Sequence, residues 1–127
     1  MTMSEGMVRP DGLSEREGRL AVALHLPWYR SLPVSCVESV RVSVDGVPAP
    51  VRSVSVGDLA GRVEEAAGSA GTWDLRDQLD VVLDVAGRPG ETHAVEVAVA
   101  VRIPYMQQAP GVALVQRATA RTEGTLR

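Results

Sequence analysis

The chain has 127 residues, 45% of them hydrophobic, and a formal net charge of -3. That length fits one domain with a single modest core and is short for a two-domain enzyme. Its thirteen basic residues, all Arg, are interspersed with acids rather than gathered in a block, which argues against a phosphate-tracking surface and a nucleic-acid partner. No window approaches the ~20 apolar residues of a membrane span. Residues 1–18 are polar, without the apolar run of a secretory signal, and read as a flexible N-terminal tail. Cys36 stands alone, so no intrachain disulfide forms, and a reducing, cytoplasmic setting is the expectation.

From residue 19 the pattern becomes regular. Leu20, Val22, Leu24 and Leu26 alternate with Arg19, Ala21, Ala23 and His25, the period of a strand and not of a helix. Val40, Val42 and Val44 repeat it and lead into Asp45-Gly46, a hairpin turn signal. Val54 and Val56 mark a short third run. Residues 58–67 are the one stretch with helical spacing, Asp58 as N-cap and Leu59, Val63 and Ala66 on one side, weakened by Gly61 within it. Residues 79–85 form a further strand-like run. A long one covers residues 95–103, with Val97, Val99 and Val101 on one face, and a less regular one covers residues 112–118. Gly/Pro turns separate the runs, notably residues 87–90 and Pro110-Gly111. The expected fold is all-β, an antiparallel β-sandwich or jelly-roll-like barrel with at most one short helix, spanning residues 19–118 and followed by a C-terminal tail at 119–127.

The second faces of two strands are small and apolar: Ala21 and Ala23 on the first, and Ala94, Ala98 and Ala100 on the long one. Either a loop or helix covers such a face, or a second chain docks there.

Residues able to carry chemistry are scattered. The only histidines are His25 and His93, whereas a hydrolytic or redox metal site takes three or four ligands. In a strand, His93 and Glu96 point to opposite faces and do not converge without a bulge. His25 reads as a packed or interfacial histidine. Cys36, between Pro33 and an apolar run, reads as a small core residue. Asp74 and Asp77 flank Arg76 in a segment whose bland explanation is turn chemistry, with Trp73 closing one end of the core. The glycines lie at turns and form no phosphate-binding loop.

A different feature does suggest a site. The chain has no Phe and only two Trp and two Tyr, yet Trp28, Tyr29 and Tyr105, with Arg30 and Arg102, fall just beyond strand-like runs in proline-flanked segments. Trp, Tyr and Arg at strand ends are the residues by which partners and ligands are met.

These segments also carry a family resemblance. The run LPWYRSLPVSCVE at 26–38, VSVDG at 42–46, Trp73 in WDLRD, GETH at 90–93 and RIPYM at 102–106, in that order, resemble the small (β) subunit of bacterial C-glycoside deglycosidases. The resemblance runs from residue 20 to 106. It implies a β-sandwich subunit that binds a larger TIM-barrel α subunit carrying a divalent metal, manganese, with no cofactor on this chain. It also implies that the complex cleaves the carbon-carbon bond between a 3-oxo-glucosyl unit and an aromatic aglycone such as a flavonoid. A 3-keto group acidifies the proton at C2, a metal holds the enolate, and a base allows elimination of the aglycone from C1. On this reading Trp28, Tyr29, Arg30, Arg102 and Tyr105 contact the partner or the aglycone pocket, and the chain supplies no catalytic residue and no metal ligand. The alternatives are a stand-alone carbohydrate-binding or structural β-sandwich and a small independent enzyme using His25 or His93.

Overall fold

Valine-rich alternation becomes strand wherever a second layer is available to bury one face. The computed structural model describes residues 6–27, 31–56, 59–61, 72–73 and 77–127. Its elements are β1 (Val8–Arg16), β2 (Arg19–His25), β3 (Leu32–Pro33), a 3-10 turn (Val34–Cys36), β4 (Val37–Val44), β5 (Val47–Ala49), β6 (Val51–Val56), β7 (Leu59–Gly61), β8 (Thr72–Trp73), β9 (Gln78–Ala86), β10 (Thr92–Ala109) and β11 (Val112–Thr125). One sheet has the order β1-β2-β9-β6-β7, the other β11-β10-β4-β5, and β3 pairs with β8 apart from both. The pairings are antiparallel.

The core lies between the two sheets. Leu20, Val22 and Leu24 of β2 and Leu79, Val81 and Leu83 of β9 meet Val40, Val42 and Val44 of β4 and Val95, Val97, Val99 and Val101 of β10 in one buried cluster. Each such side chain contributes about 1.5–3 kcal/mol relative to exposure. The architecture is therefore an all-β sandwich, as the alternation predicts. Asp45 and Gly46 both adopt positive φ, 51° and 83°, as the Asp-Gly turn requires. The chain changes sheets at Pro50, whose carbonyl accepts the Asp84 N–H at 2.8 Å.

Both ends of the chain depart from expectation. Residues 8–16, inside the segment read as a flexible tail, form β1, which pairs with β2 from Val8↔Leu24 to Arg16↔Arg19. Met7 and Leu13 are buried in the core. The segment 119–127, also read as a tail, is the second half of β11 and its continuation. Leu126 is buried, its N–H donates to the Glu91 carbonyl at 2.8 Å, and Arg127 exchanges backbone bonds with Leu13 and Glu15 of β1. The C-terminus thus joins the sheets along one side, and the sandwich covers more of the chain than residues 19–118. Where β11 crosses β1, a Cβ on Gly124 would collide with the Pro10 carbonyl, so only glycine fits unaided.

The helix expected at 58–67 is contradicted at its start. Leu59–Gly61 is β7, paired with β6 through Val56↔Leu59, Ser55↔Ala60 and Val54↔Gly61. Strand pairing with β6 overrides the weak helical spacing. Asp58, Val63 and Ala66 lie outside the described residues. The only helical element among those described is the 3-10 turn.

The two alanine faces differ. Ala21 is buried and Ala23 half-buried, and the bulged part of β1 approaches Ala23 closely at Gly12. On the other sheet Ala98 is half-buried between Arg41 and Thr119, and Ala100 is buried between Ser39 and Arg117.

Candidate interface site

β10 is the longest strand, and it outruns its neighbour. β4 pairs with it from Val95↔Val44 to Val101↔Val37 and no further. Beyond that point only β11 accompanies it, through Arg102↔Val115, Ile103↔Leu114, Gln107↔Ala113 and Ala109↔Val112. The result is a two-stranded arm closed by Pro110-Gly111, with Gly111 at φ 76°. Between Ile103 and Gln107 the register shifts, so Pro104, Tyr105 and Met106 bulge from the ladder. A bulge re-aims side chains, and here it displays two large ones. Residues 104–112 are all exposed, and Tyr105, Met106 and Val112 are three of the four exposed large hydrophobic side chains among the described residues.

Arg102 roots this arm. Its Nη1 donates to Glu38 Oε1 at 2.7 Å and its Nη2 to the Ser35 carbonyl at 3.3 Å, with Cys36 Sγ 4.0 Å away. The guanidinium therefore ties β10 to the 3-10 turn and the start of β4. The two segments singled out in the sequence, 26–38 and 101–106, meet here, reinforced by the Val101↔Val37 pair. Cys36 is buried, in line with a packing role.

Of the five residues expected at the site, Tyr105 stands on the arm and Arg102 at its base, where it positions rather than projects. Trp28, Tyr29 and Arg30 lie outside the described residues, as do Asp74 and Arg76. The flanks of the aromatic segment are well anchored. Pro27 is buried, and Leu32 pairs with Trp73, which is itself buried and donates its indole N–H to the Asp77 carbonyl at 3.2 Å. Trp73 thus closes one end of the core.

His93 serves local structure. His93 Nδ1 hydrogen-bonds Asp45 Oδ2 at 2.6 Å, while Asp45 Oδ1 accepts the Ala94 N–H at 2.9 Å, pinning the β4–β5 turn to β10. The hydrogen bond from His93, with that from Ala94, holds the Asp45 carboxyl below the ordinary carboxylate value. His93 Nε2 is buried without a hydrogen-bond partner, 3.9 Å from Glu91 Oε1. At the end of β2, burial and then the nearby Arg9 charge lower the His25 pKa, partly opposed by Asp11. Among the described residues no group of three or more His, Cys, Asp or Glu side chains gathers to hold a metal ion. The groove of about 870 Å³ between β4 and β6 carries Arg41, Arg52 and Asp84 at its rim, and Asp84 is paired with Arg19 at 3.5 Å and Arg52 at 3.9 Å. No helix among the described residues is long and apolar enough to cross a membrane.

These elements make an all-β sandwich with an exposed two-stranded arm. Residues 8–105 match the family model of the C-glycoside deglycosidase beta subunit, and the chain belongs to that family. It is 38% identical over 97 residues to a C-glycoside deglycosidase beta subunit of Arthrobacter globiformis, covering 72% of this chain and 73% of the relative. A second beta subunit of the same organism is 30% identical over 129 residues, 94% of this chain and 95% of the relative. The 3'-dehydrocarminate deglycosidase beta subunit of a Microbacterium species is 33% identical over 106 residues, 80% of each.

Proposed function

We propose that this chain is the noncatalytic β subunit of a heteromeric C-glycoside deglycosidase in the cytoplasm. Its larger partner is a metal-dependent TIM-barrel α subunit, and together they release the aglycone from 3-oxo-C-glucosides. The observation that carries this reading is family membership over residues 8–105, from β1 to the bulge of β10. The use of the described polar groups supports it. Arg102 pairs with Glu38 and His93 with Asp45 at separate places, while Arg16 and Asp80, with His25, Asp11, Arg9 and Arg127, line a small open cleft in which Arg16 and Asp80 are already bound to each other. The proton abstraction at C2 and the departure of the aglycone from C1 then belong to the partner, where a divalent metal would supply Lewis-acid stabilisation of developing negative charge. This chain contributes a rigid wall, with Tyr105 as a contact, Arg102 as the residue that positions it, and Trp28, Tyr29 and Arg30 as further contacts.

Co-expression with a TIM-barrel α subunit of a C-glycoside deglycosidase, followed by size-exclusion chromatography and an assay of aglycone release from a 3-oxo-C-glucoside, tests the proposal. Co-elution with activity in the pair and none in either subunit alone is the expected result. A chain that elutes by itself and leaves the partner's activity unchanged overturns it.

A further inference from the structure

The arm has a property that the family match does not account for. Residues 103–116 form the longest run in the sequence without a charged side chain. Nine of them, residues 104–112, are consecutive and exposed. Charges, prolines and bulges are the devices that keep a free strand edge from pairing with another chain. On the β10 side of the arm Pro104 and the register shift between Ile103 and Gln107 break the edge, so it does not template an added strand. The β10 edge is therefore protected against strand addition, while the arm keeps an apolar, uncharged surface at its bulge, which suits recognition by side chains.

We infer that the arm at residues 104–112 is a docking anchor that inserts its bulge, Tyr105 and Met106 foremost, into an uncharged, apolar recess on the larger subunit. This rests on the subunit reading above and adds the element by which the complex holds together.

Area sets how much of the interface this is. At 49% exposure Tyr105 alone offers roughly 100 Å² of the ~200 Å² of a tyrosine, against the ~800 Å² that a standard interface takes from each partner. Typical interface residues contribute roughly 30–40 Å² each, so the nine exposed arm residues supply over a third of one side. That is too little for two arms to hold a homodimer tip to tip. It is enough for a convex anchor seated in a concave partner, with the adjoining surface completing the contact. The charge-free surface selects an uncharged recess, because burying a charge against it would cost desolvation without compensation. Arg102, bound to Glu38 and Ser35, fixes the direction in which the arm leaves the sandwich.

The test uses the full chain and the larger subunit, with affinity measured by biolayer interferometry for wild type, Y105S/M106S, the single-charge variant M106R, and V47S. Val47 is 64% exposed on the distant β4–β5 turn and serves as the control. The expected result is association weakened about 30-fold or more in Y105S/M106S and in M106R, with the thermal unfolding of the isolated subunit unchanged and V47S binding as wild type does. Wild-type affinity retained in M106R overturns the anchor while leaving the subunit reading in place. Failure of the wild-type chain to bind the larger subunit overturns both. Concentration-dependent self-association that M106R abolishes assigns the arm to a second copy of this chain and overturns the proposed occupant.

Discussion

From Val95 to Ile103, β10 buries every second side chain between two sheets, whereas from residue 104 to its end the same strand exposes every residue. The two regions share a backbone, a partner strand and a hairpin. They differ in what lies beside them. Up to Val101, β4 pairs with β10 and the opposite sheet lies across its inner face; past it, only β11 continues alongside. An isolated two-stranded ribbon is marginal in water, so the arm gains its order from Arg102 at its root and from the long body ladder. Stability resides in the body, and the arm is available for recognition. Substitutions in the two regions should separate these roles cleanly.

The largest effect belongs to the body. Trp73→Ala removes a side chain that is 1% exposed and leaves the Asp77 carbonyl without its indole donor. It should cost about 3–5 kcal/mol in denaturant unfolding. A loss under about 1 kcal/mol would show that Trp73 does not close the core. Gly124→Ala comes next, because the added methyl group meets the Pro10 backbone, which cannot turn aside as a flexible side chain would. Overpacking of this kind costs about 1–3 kcal/mol, and unaltered stability would mean that β11 does not cross β1 so closely.

At the junction the effect shrinks. Arg102→Met removes an ion pair whose partners are 40% and 41% exposed, together with one bond to a carbonyl. Solvent screening limits the stability loss to about 0.2–1 kcal/mol. The sharper readout is the arm. Hydrogen exchange at residues 103–116 should quicken in the variant while β2 and β9 keep their protection. Uniform change across the molecule would remove Arg102 from its positioning role. On the arm itself, Y105S/M106S should leave unfolding within about 0.5 kcal/mol of wild type. A larger loss would place these side chains in the body's core.

How much of this was legible before the fold was known follows the same division. The central strands were plain because Leu20, Val22 and Leu24, or Val95, Val97 and Val99, alternate against a core that spans their full length. β1 was missed because its inward positions are few and the register shifts between Val8 and Leu13, so no period of two survives across Pro10 and Gly12. The far half of β11 was missed for another reason. Its inward positions are Ala118, Ala120, Thr122 and Gly124, small because β1 presses close, and small residues carry no hydrophobic signal. At the site, Arg102 and Tyr105 were legible as residue types beside a proline. That Arg102 binds Glu38, 64 positions away, was not, since sequence spacing is silent on partners joined only by strand pairing. The bulge was equally hidden, because it is defined by register against β11.

The smallest effects are those of protonation, and they too separate regions. Asp45 is exposed, and its pKa is lowered from 3.8 by the hydrogen bond from His93 and then by that from Ala94. Its contribution is therefore present above the unfolded value and fades as the pH falls toward the folded one, adding to acid destabilisation below about pH 4. His25 acts in a higher window. Burial, and then Arg9, lower its pKa from 6.5, so the folded chain resists a proton that the unfolded chain accepts. Between 6.5 and the lowered value the unfolded state binds more protons, and linkage makes stability fall as the pH falls. His25→Gln should flatten the stability profile in that window and leave the acid limb below pH 4 intact, whereas Asp45→Asn should alter the acid limb. If His25→Gln leaves the slope below 6.5 unchanged, the titration there belongs to another group, and His25 at the end of β2 is solvated in the folded chain as it is in the unfolded one.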